Sequence, residues 1–192
     1  MKKLLRLIVG TSFLNIPIQY VLVPIASHKK KLIELLRGID YNKALDYGCG
    51  EGMFCKCFTA SRYHGFDIDE ERINYAKNKY KDHGFSNDIP SLAAYDLIFF
   101  NNFLHHIDEK NIELLFNEIS KTKKTNTHIV IIELLPIVEQ RNFLFKMILK
   151  LEAYTHYSNP RSLEYYRSVL QQNGFREQSV DVMHRFFIAH YS

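Results

Sequence analysis

Cysteine is scarce: Cys49, Cys55 and Cys57 are the only three in 192 residues, and an odd number cannot all pair within one chain. The sequence therefore lacks a disulfide framework, and a reducing compartment fits it best. The C-x5-C-x-C spacing also lacks the paired C-x-x-C of a structural zinc site, and no His stands beside it at ligand spacing. Three buried thiols are expected there, and no metal. Strong charge of one sign is missing too. With 25 basic and 21 acidic residues the net charge is +4, scattered over Lys2-Lys3, Lys29-Lys30-Lys31 and Lys121 with Lys123-Lys124. Such small clusters read as solvated surface, so no nucleic-acid partner is expected. The composition, 46% hydrophobic and 24% charged, excludes a disordered or fibrous chain, and the length suits one domain.

A clean membrane-spanning run is also lacking. Leu4–Ala26 is the most apolar stretch, and Lys2-Lys3 give it the basic start of an export signal. However, Arg6, Asn15 and Gln19 interrupt it, Pro17 and Pro24 break its helix, and no A-x-A-like cleavage site follows. Two shorter helices, Lys2–Leu14 and Pro17–Ile25, are expected instead, lying over the domain or on a membrane surface. Residues 1–40 then read as an N-terminal helical lid or interfacial segment, with peripheral membrane contact open to residues 1–26. Residues 41–192 form the main domain.

From Lys43 onward short apolar runs alternate with helical stretches. Helices are expected over His28–Leu36, Met53–Ala60, Glu70–Tyr80, Asn111–Thr122, Val138–Tyr154 and Leu163–Gln172, the last capped by Ser162. Leu32, Ile33, Leu35 and Leu36 should face inward on the first of these, and Leu114, Leu115 and Ile119 on the fourth. Strands are expected at Ala44–Tyr47, Tyr63–Ile68, Tyr95–Phe100 and Ile129–Glu133. Arg176–Met183 and Arg185–Tyr191 have almost no connector and should pair antiparallel. The pattern predicts an α/β fold: a doubly wound, mostly parallel seven-stranded sheet with a C-terminal antiparallel strand pair and helices on both faces. Ligands of such sheets sit beyond the carboxyl ends of the strands, here just after Tyr47, Asp67, Asn87, Phe100 and Glu133.

Gly48, Gly50 and Gly52 follow the first strand, where glycines allow close approach of a cofactor and free N–H groups can meet an anionic or polar group. Asp67 ends the second strand, where a carboxylate can accept from both hydroxyls of a ribose. Nicotinamide-binding and S-adenosylmethionine-binding folds share this combination. The third glycine comes one residue early for the dinucleotide motif, and Met53 stands where that motif has Gly or Ala.

Four segments then fall in order. Ala44-Leu45-Asp46-Tyr47-Gly48-Cys49-Gly50-Glu51-Gly52 resembles the first motif of class I S-adenosylmethionine-dependent methyltransferases. Gly65-Phe66-Asp67-Ile68-Asp69 is similar to their second motif and Asn87-Asp88-Ile89-Pro90 to their third; Tyr95 through His106 resembles their fourth. The resemblance implies an S-adenosyl-L-methionine cofactor. It sets Asp46 and the Gly48-Cys49-Gly50 backbone at the methionine part, Asp67 at the ribose, and Ile68 and Ile89 on either side of the adenine. Asp88 would accept from the adenine amino group, and Asn101 would meet the cofactor's amino group through its backbone carbonyl. Tyr47 and Phe100 are bulkier than the family's usual residues and should narrow the pocket. Asp69, Glu70 and Glu71 read as first-turn acids of the next helix.

His105 and His106 follow the fourth strand and are the candidate catalytic bases, since a near-neutral imidazole can take a proton from a hydroxyl nucleophile. His106 also reads as a loop-bracing residue. Glu133, Tyr154, His156 and Tyr157 are further candidates on the acceptor side. Asn101-Asn102-Phe103 lacks the Pro-Pro of enzymes that methylate exocyclic amines, and no Cys lies near the fourth or fifth strand. The acid pattern of metal-dependent catechol enzymes is absent. What remains is metal-independent transfer to a small, apolar or lipid-like acceptor, with Phe143, Phe145, Tyr154, Tyr157, Tyr165 and Tyr166 available as pocket walls. The alternative is a methyltransferase-like domain that binds cofactor or a protein partner without turnover. A cofactor made in the cytoplasm implies a cytoplasmic protein. Segments ahead of the first motif often close over the site in this family, which would make Tyr20 and His28 neighbours of the pocket.

Overall fold

The computed structural model describes residues 25–136, 143, 146, 159–183 and 186–192. Its centre is a seven-stranded sheet: β1 (Ala44–Tyr47), β2 (Tyr63–Phe66), β3 (Gly84–Ser86), β4 (Leu97–Asn101), β5 (His128–Leu134), β6 (Glu177–Met183) and β7 (Phe186–Tyr191). The strand order is β3-β2-β1-β4-β5-β7-β6. The first five are parallel, β7 runs antiparallel to β5, and β6 antiparallel to β7. Strands β4 and β5 are continuous apolar runs because a parallel sheet is buried on both faces. The expected fold class is the one observed.

Among the described residues these helices flank it: α1 (Ile25–Leu36), α2 (Glu70–Lys79), α3 (Glu109–Thr122) and α4 (Leu163–Gln172). Side chains alternate across the sheet, so each strand feeds two cores. Phe99, Val130, Ile132 and Ile188 meet Leu32 and Leu36 of α1 on one face. Ile98, Phe100, Ile129, Ile131, Phe187 and Ala189 meet Ile112, Phe116 and Ile119 of α3 and Tyr166, Val169 and Leu170 of α4 on the other. Helix starts are capped as their sequences indicate. Asp69 takes the N–H groups of Glu71 and Arg72, with Glu70 and Glu71 in the first turn, and Ser162 takes that of Tyr165.

Three expectations need correction. Met53–Ala60 is no α-helix: the chain makes two 3-10 turns, Cys55–Cys57 and Ala60–Arg62, separated by extended Phe58 and Thr59. Phe54, Cys55 and Phe58 are all buried there, while the extended backbone at Phe58 and Thr59 interrupts any continuous helix. Leu114 is exposed because Ile112, Phe116 and Ile119 set the buried face of α3, leaving Leu114 about 200° round the helix from Ile112. Ile33 likewise turns to solvent while Leu32 and Leu36, one turn apart, enter the core. The third strand, expected only through the strand end placed at Asn87, is Gly84–Ser86, too short for a periodic signal. The expected helices Lys2–Leu14 and, apart from helical Phe143 and Lys146, Val138–Tyr154 lie outside the described residues, as does Pro17–Ile25 up to residue 24. Among the described residues no helix is long and apolar enough to cross a membrane.

Candidate functional site

The connection order reverses between β1 and β4, so a crevice opens beyond their carboxyl ends. Its floor is the loop after β1. Gly48, Gly50 and Gly52 all have left-handed φ, at 78°, 52° and 72°. The N–H groups of the three glycines and Cys49, expected to be free, are engaged within the protein. Gly48 and Cys49 both donate to the Phe66 carbonyl (2.8 and 2.9 Å), Gly52 donates to the Cys49 carbonyl, and Gly50 donates to Asp67 Oδ2 at 2.8 Å. What the loop offers is bare Cα surface and a fixed shape. Gly65 on β2 must also stay small, because a Cβ there would meet Phe85 and the Cys49 sulfur below 3 Å. Burial pushes the Cys49 thiol strongly up, keeping it neutral.

Asp46, near the end of β1, is buried. Tyr63 OH donates to its Oδ2 at 2.7 Å, while Oδ1 has no partner. Burial pushes the carboxyl up to about 7, against the Tyr63 hydrogen bond and with the nearby Asp67 charge adding to the rise. An orphaned, buried carboxylate oxygen is costly and unusual, and it marks a place where a donor from elsewhere belongs. Asp67 accepts from the N–H groups of Gly50 and Asp69, one on each oxygen. A carboxylate has roughly four lone-pair sites, so about two remain for a ligand diol. Beyond β2 and β3, Ile68 and Ile89 are 85% and 83% exposed. Two such aliphatic side chains beside a crevice are apolar surface awaiting a cover. Asp88 lies exposed between them in sequence, and Asn101 ends β4 half-buried. The donor set therefore fits S-adenosyl-L-methionine: acid and glycine loop at one end, spare carboxylate capacity in the middle, apolar surface at the other.

The turn after β4 is fixed from two sides. Asn102 adopts a left-handed φ of 48° and donates its N–H to the Ile132 carbonyl. Glu133, fully buried on β5, accepts the Leu104 N–H at 2.6 Å on one oxygen and His105 Nδ1–H at 2.7 Å on the other. Burial alone would raise this carboxyl, but the His105 charge and hydrogen bond, the Leu104 N–H and His106 outweigh it and hold it below the usual range. From the opposite side, buried Arg161 donates to the carbonyls of Leu104 (3.2 Å) and Ile107 (2.9 Å), and Asn159 N–H donates to the His105 carbonyl. His105 is thus turned inward as the brace, while His106 is the exposed member of the pair, their rings 4.0 Å apart. Sequence reading missed Arg161 and the Tyr63 bond to Asp46. Arg161 stands just before a helix cap, with no periodicity or motif to mark it.

Tyr47 and Phe100 do crowd this end of the sheet. Tyr47 packs on Phe66, Phe100 and Phe103 with ring centroids at 5.0, 5.8 and 5.4 Å. Of the suggested pocket aromatics, Tyr166 is a core residue and Phe143 is exposed; Phe145, Tyr154, His156 and Tyr157 lie outside the described residues. Among the described residues, no three His, Cys, Asp or Glu side chains are grouped to hold a metal ion.

Residues 25–180 match a family model described as a methyltransferase domain. Among curated proteins, none matches the chain in sequence. Among solved structures, human N-acetylserotonin methyltransferase in complex with S-adenosylmethionine superposes with TM-score 0.67 at 18% identity, over 96% of this chain and 57% of that one. Magnesium protoporphyrin IX methyltransferase from Synechocystis, with bound S-adenosylhomocysteine, gives 0.63 at 15% identity over 86% and 83%. An S-adenosylmethionine-dependent methyltransferase from Mesorhizobium loti gives 0.60 at 16% identity over 78% and 90%. The chain spans little more than half the length of the human protein. By its fold and by a family match across most of its length, the chain belongs to the methyltransferase domain family, in the class I Rossmann-like architecture that binds S-adenosylmethionine.

Proposed function

We propose that this protein transfers a methyl group from S-adenosyl-L-methionine to a small, apolar or lipid-like acceptor without a metal ion. The observation that carries the reading is the unpartnered Oδ1 of buried Asp46, set against the glycine loop and in line with Asp67. It suits a donor group on a ligand's amino-acid end. Asp46 and the Gly48–Gly50 surface would hold the methionine part, Asp67 the ribose, Ile68, Asp88 and Ile89 the adenine, and the Asn101 carbonyl the cofactor's amino group. When bound, the cofactor supplies an electrophilic methyl on a positively charged sulfur. The protein's own task is then alignment and proton removal from the acceptor. His106, exposed beside the braced His105, is the group assigned to take that proton. His105 sets the turn through Glu133.

Two measurements test this. Incubation with S-adenosylmethionine and a panel of phenols, quinones, fatty acids and amines should release S-adenosylhomocysteine with at least one acceptor. Cofactor binding with no turnover across the panel would favour the non-catalytic alternative. Asp67→Ala should weaken S-adenosylhomocysteine binding by about 1.5–3 kcal/mol, the range for hydrogen bonds to a charged group. An unchanged dissociation constant in a folded variant would remove Asp67 from the site.

A further inference from the structure

We infer that Phe103 forms an aromatic wall against the cofactor's sulfonium and gives the site a preference for the charged methyl donor over its neutral product. The inference rests on the cofactor placement proposed above. With the ribose on Asp67 at the end of β2 and the adenine towards β3, the rest of the molecule must run the other way, across β1 towards β4. The sulfonium is joined to the ribose through a single carbon, and neighbouring strands are about 4.8 Å apart. It therefore falls between the ends of β1 and β4.

Phe103 occupies the edge of that position. A Cβ built on Gly48 would stand only 2.2–2.9 Å from its ring atoms, so the ring lies directly against the first glycine of the loop. It is also held there. Asn102 before it is locked in a left-handed conformation, Leu104 after it is tied to Glu133, and the ring stacks at 17° to Phe100 and tilts on Tyr47. Phe103 nonetheless remains only half-buried, leaving surface for a ligand. An aromatic face within about 6 Å of a cation attracts it through the ring quadrupole. Asp46 cannot supply this discrimination, because the amino group it would meet is present in donor and product alike. Phe103 meets the one group whose charge differs.

Calorimetric titration of the full chain with S-adenosylmethionine and S-adenosylhomocysteine separates the cases. Phe103→Leu, which keeps apolar bulk, should weaken the sulfonium ligand about three- to thirtyfold and change the thioether less than twofold. Phe103→Trp should restore the difference. Equal weakening of both ligands would reduce Phe103 to a packing residue, and tightening of both would make it an obstruction; either result overturns the inference. Failure of the wild type to bind either ligand would instead bring down the cofactor placement, and this inference with it.

Discussion

Glu133→Ala is expected to cost about 3–5 kcal/mol of unfolding free energy, the scale for removing one partner of a buried ionic pair. The carboxylate has three donors, the N–H groups of Leu104 and Leu134 and His105 Nδ1–H, at 2.6, 3.2 and 2.7 Å. A carboxylate only accepts, so His105 must carry its proton on Nδ1. Truncation leaves that N–H and the Leu104 N–H without partners in a site that the core excludes from water. Glu133→Gln keeps an acceptor for Leu104 but faces His105 with an NH2 group or a weaker, neutral oxygen, and should lose about 1–2 kcal/mol. Urea denaturation near pH 7 measures both. A loss below 1 kcal/mol for the alanine variant would mean that Glu133 does not brace the turn. Because its folded pKa is lowered, the stabilisation by Glu133 is present above the ordinary Glu pKa and fades as pH falls through the depressed value.

The turn held by Glu133 also marks where sequence reasoning stops. Most of the strands were legible because a buried parallel strand is a continuous apolar run, as β4 and β5 are, whereas their order in the sheet was not. The positions of Asp46, Asp67 and the glycine loop at strand ends were legible, Asp46 only through the family resemblance, because an acid or a glycine there is placed by the strand itself. The brace is not local. Glu133 reaches Leu104 and His105 from another strand, and Arg161 reaches the carbonyls of Leu104 and Ile107 from beyond the fifth strand. No spacing in the sequence encodes such a meeting. Met53–Ala60 shows the converse failure, since a stretch with helical spacing is broken by extended Phe58 and Thr59 while Phe54, Cys55 and Phe58 still pack in the core. The N–H groups of the glycine loop were misjudged for the same reason. Their partners, the Phe66 carbonyl and Asp67, come from the neighbouring strand and the residue after it.

Acidification from pH 7 to 4 should reveal opposing titrations within one fold. Burial lowers His28 and His190 to about 4, with the His128 charge adding to the shift at His190. Both His28 nitrogens lack partners, while the His190 ring meets that of His128 at 3.0 Å, nitrogen to nitrogen. Between about 6.5 and 4 the unfolded chain therefore takes up protons that the fold refuses, and stability falls as pH falls. Each imidazole contributes about 3 kcal/mol across that window, from 1.36 kcal/mol per pKa unit. Asp46 has the reverse sign. Its carboxyl is pushed up to about 7, so the fold binds a proton that the unfolded chain releases above the ordinary Asp pKa, and acidification strengthens it by about 4 kcal/mol. These three groups together give a net loss of about 2–3 kcal/mol, and the burial-lowered His64 and His128 add to it, so the wild-type urea midpoint should decline. Asp46→Asn removes the opposing titration and should deepen the loss by about 4 kcal/mol, whereas His28→Phe should lessen it by about 3 kcal/mol. Superimposable wild-type and Asp46→Asn profiles would show the Asp46 carboxyl to be ionised at its ordinary pKa in the fold. The orphaned oxygen on which the cofactor site rests would then be solvated.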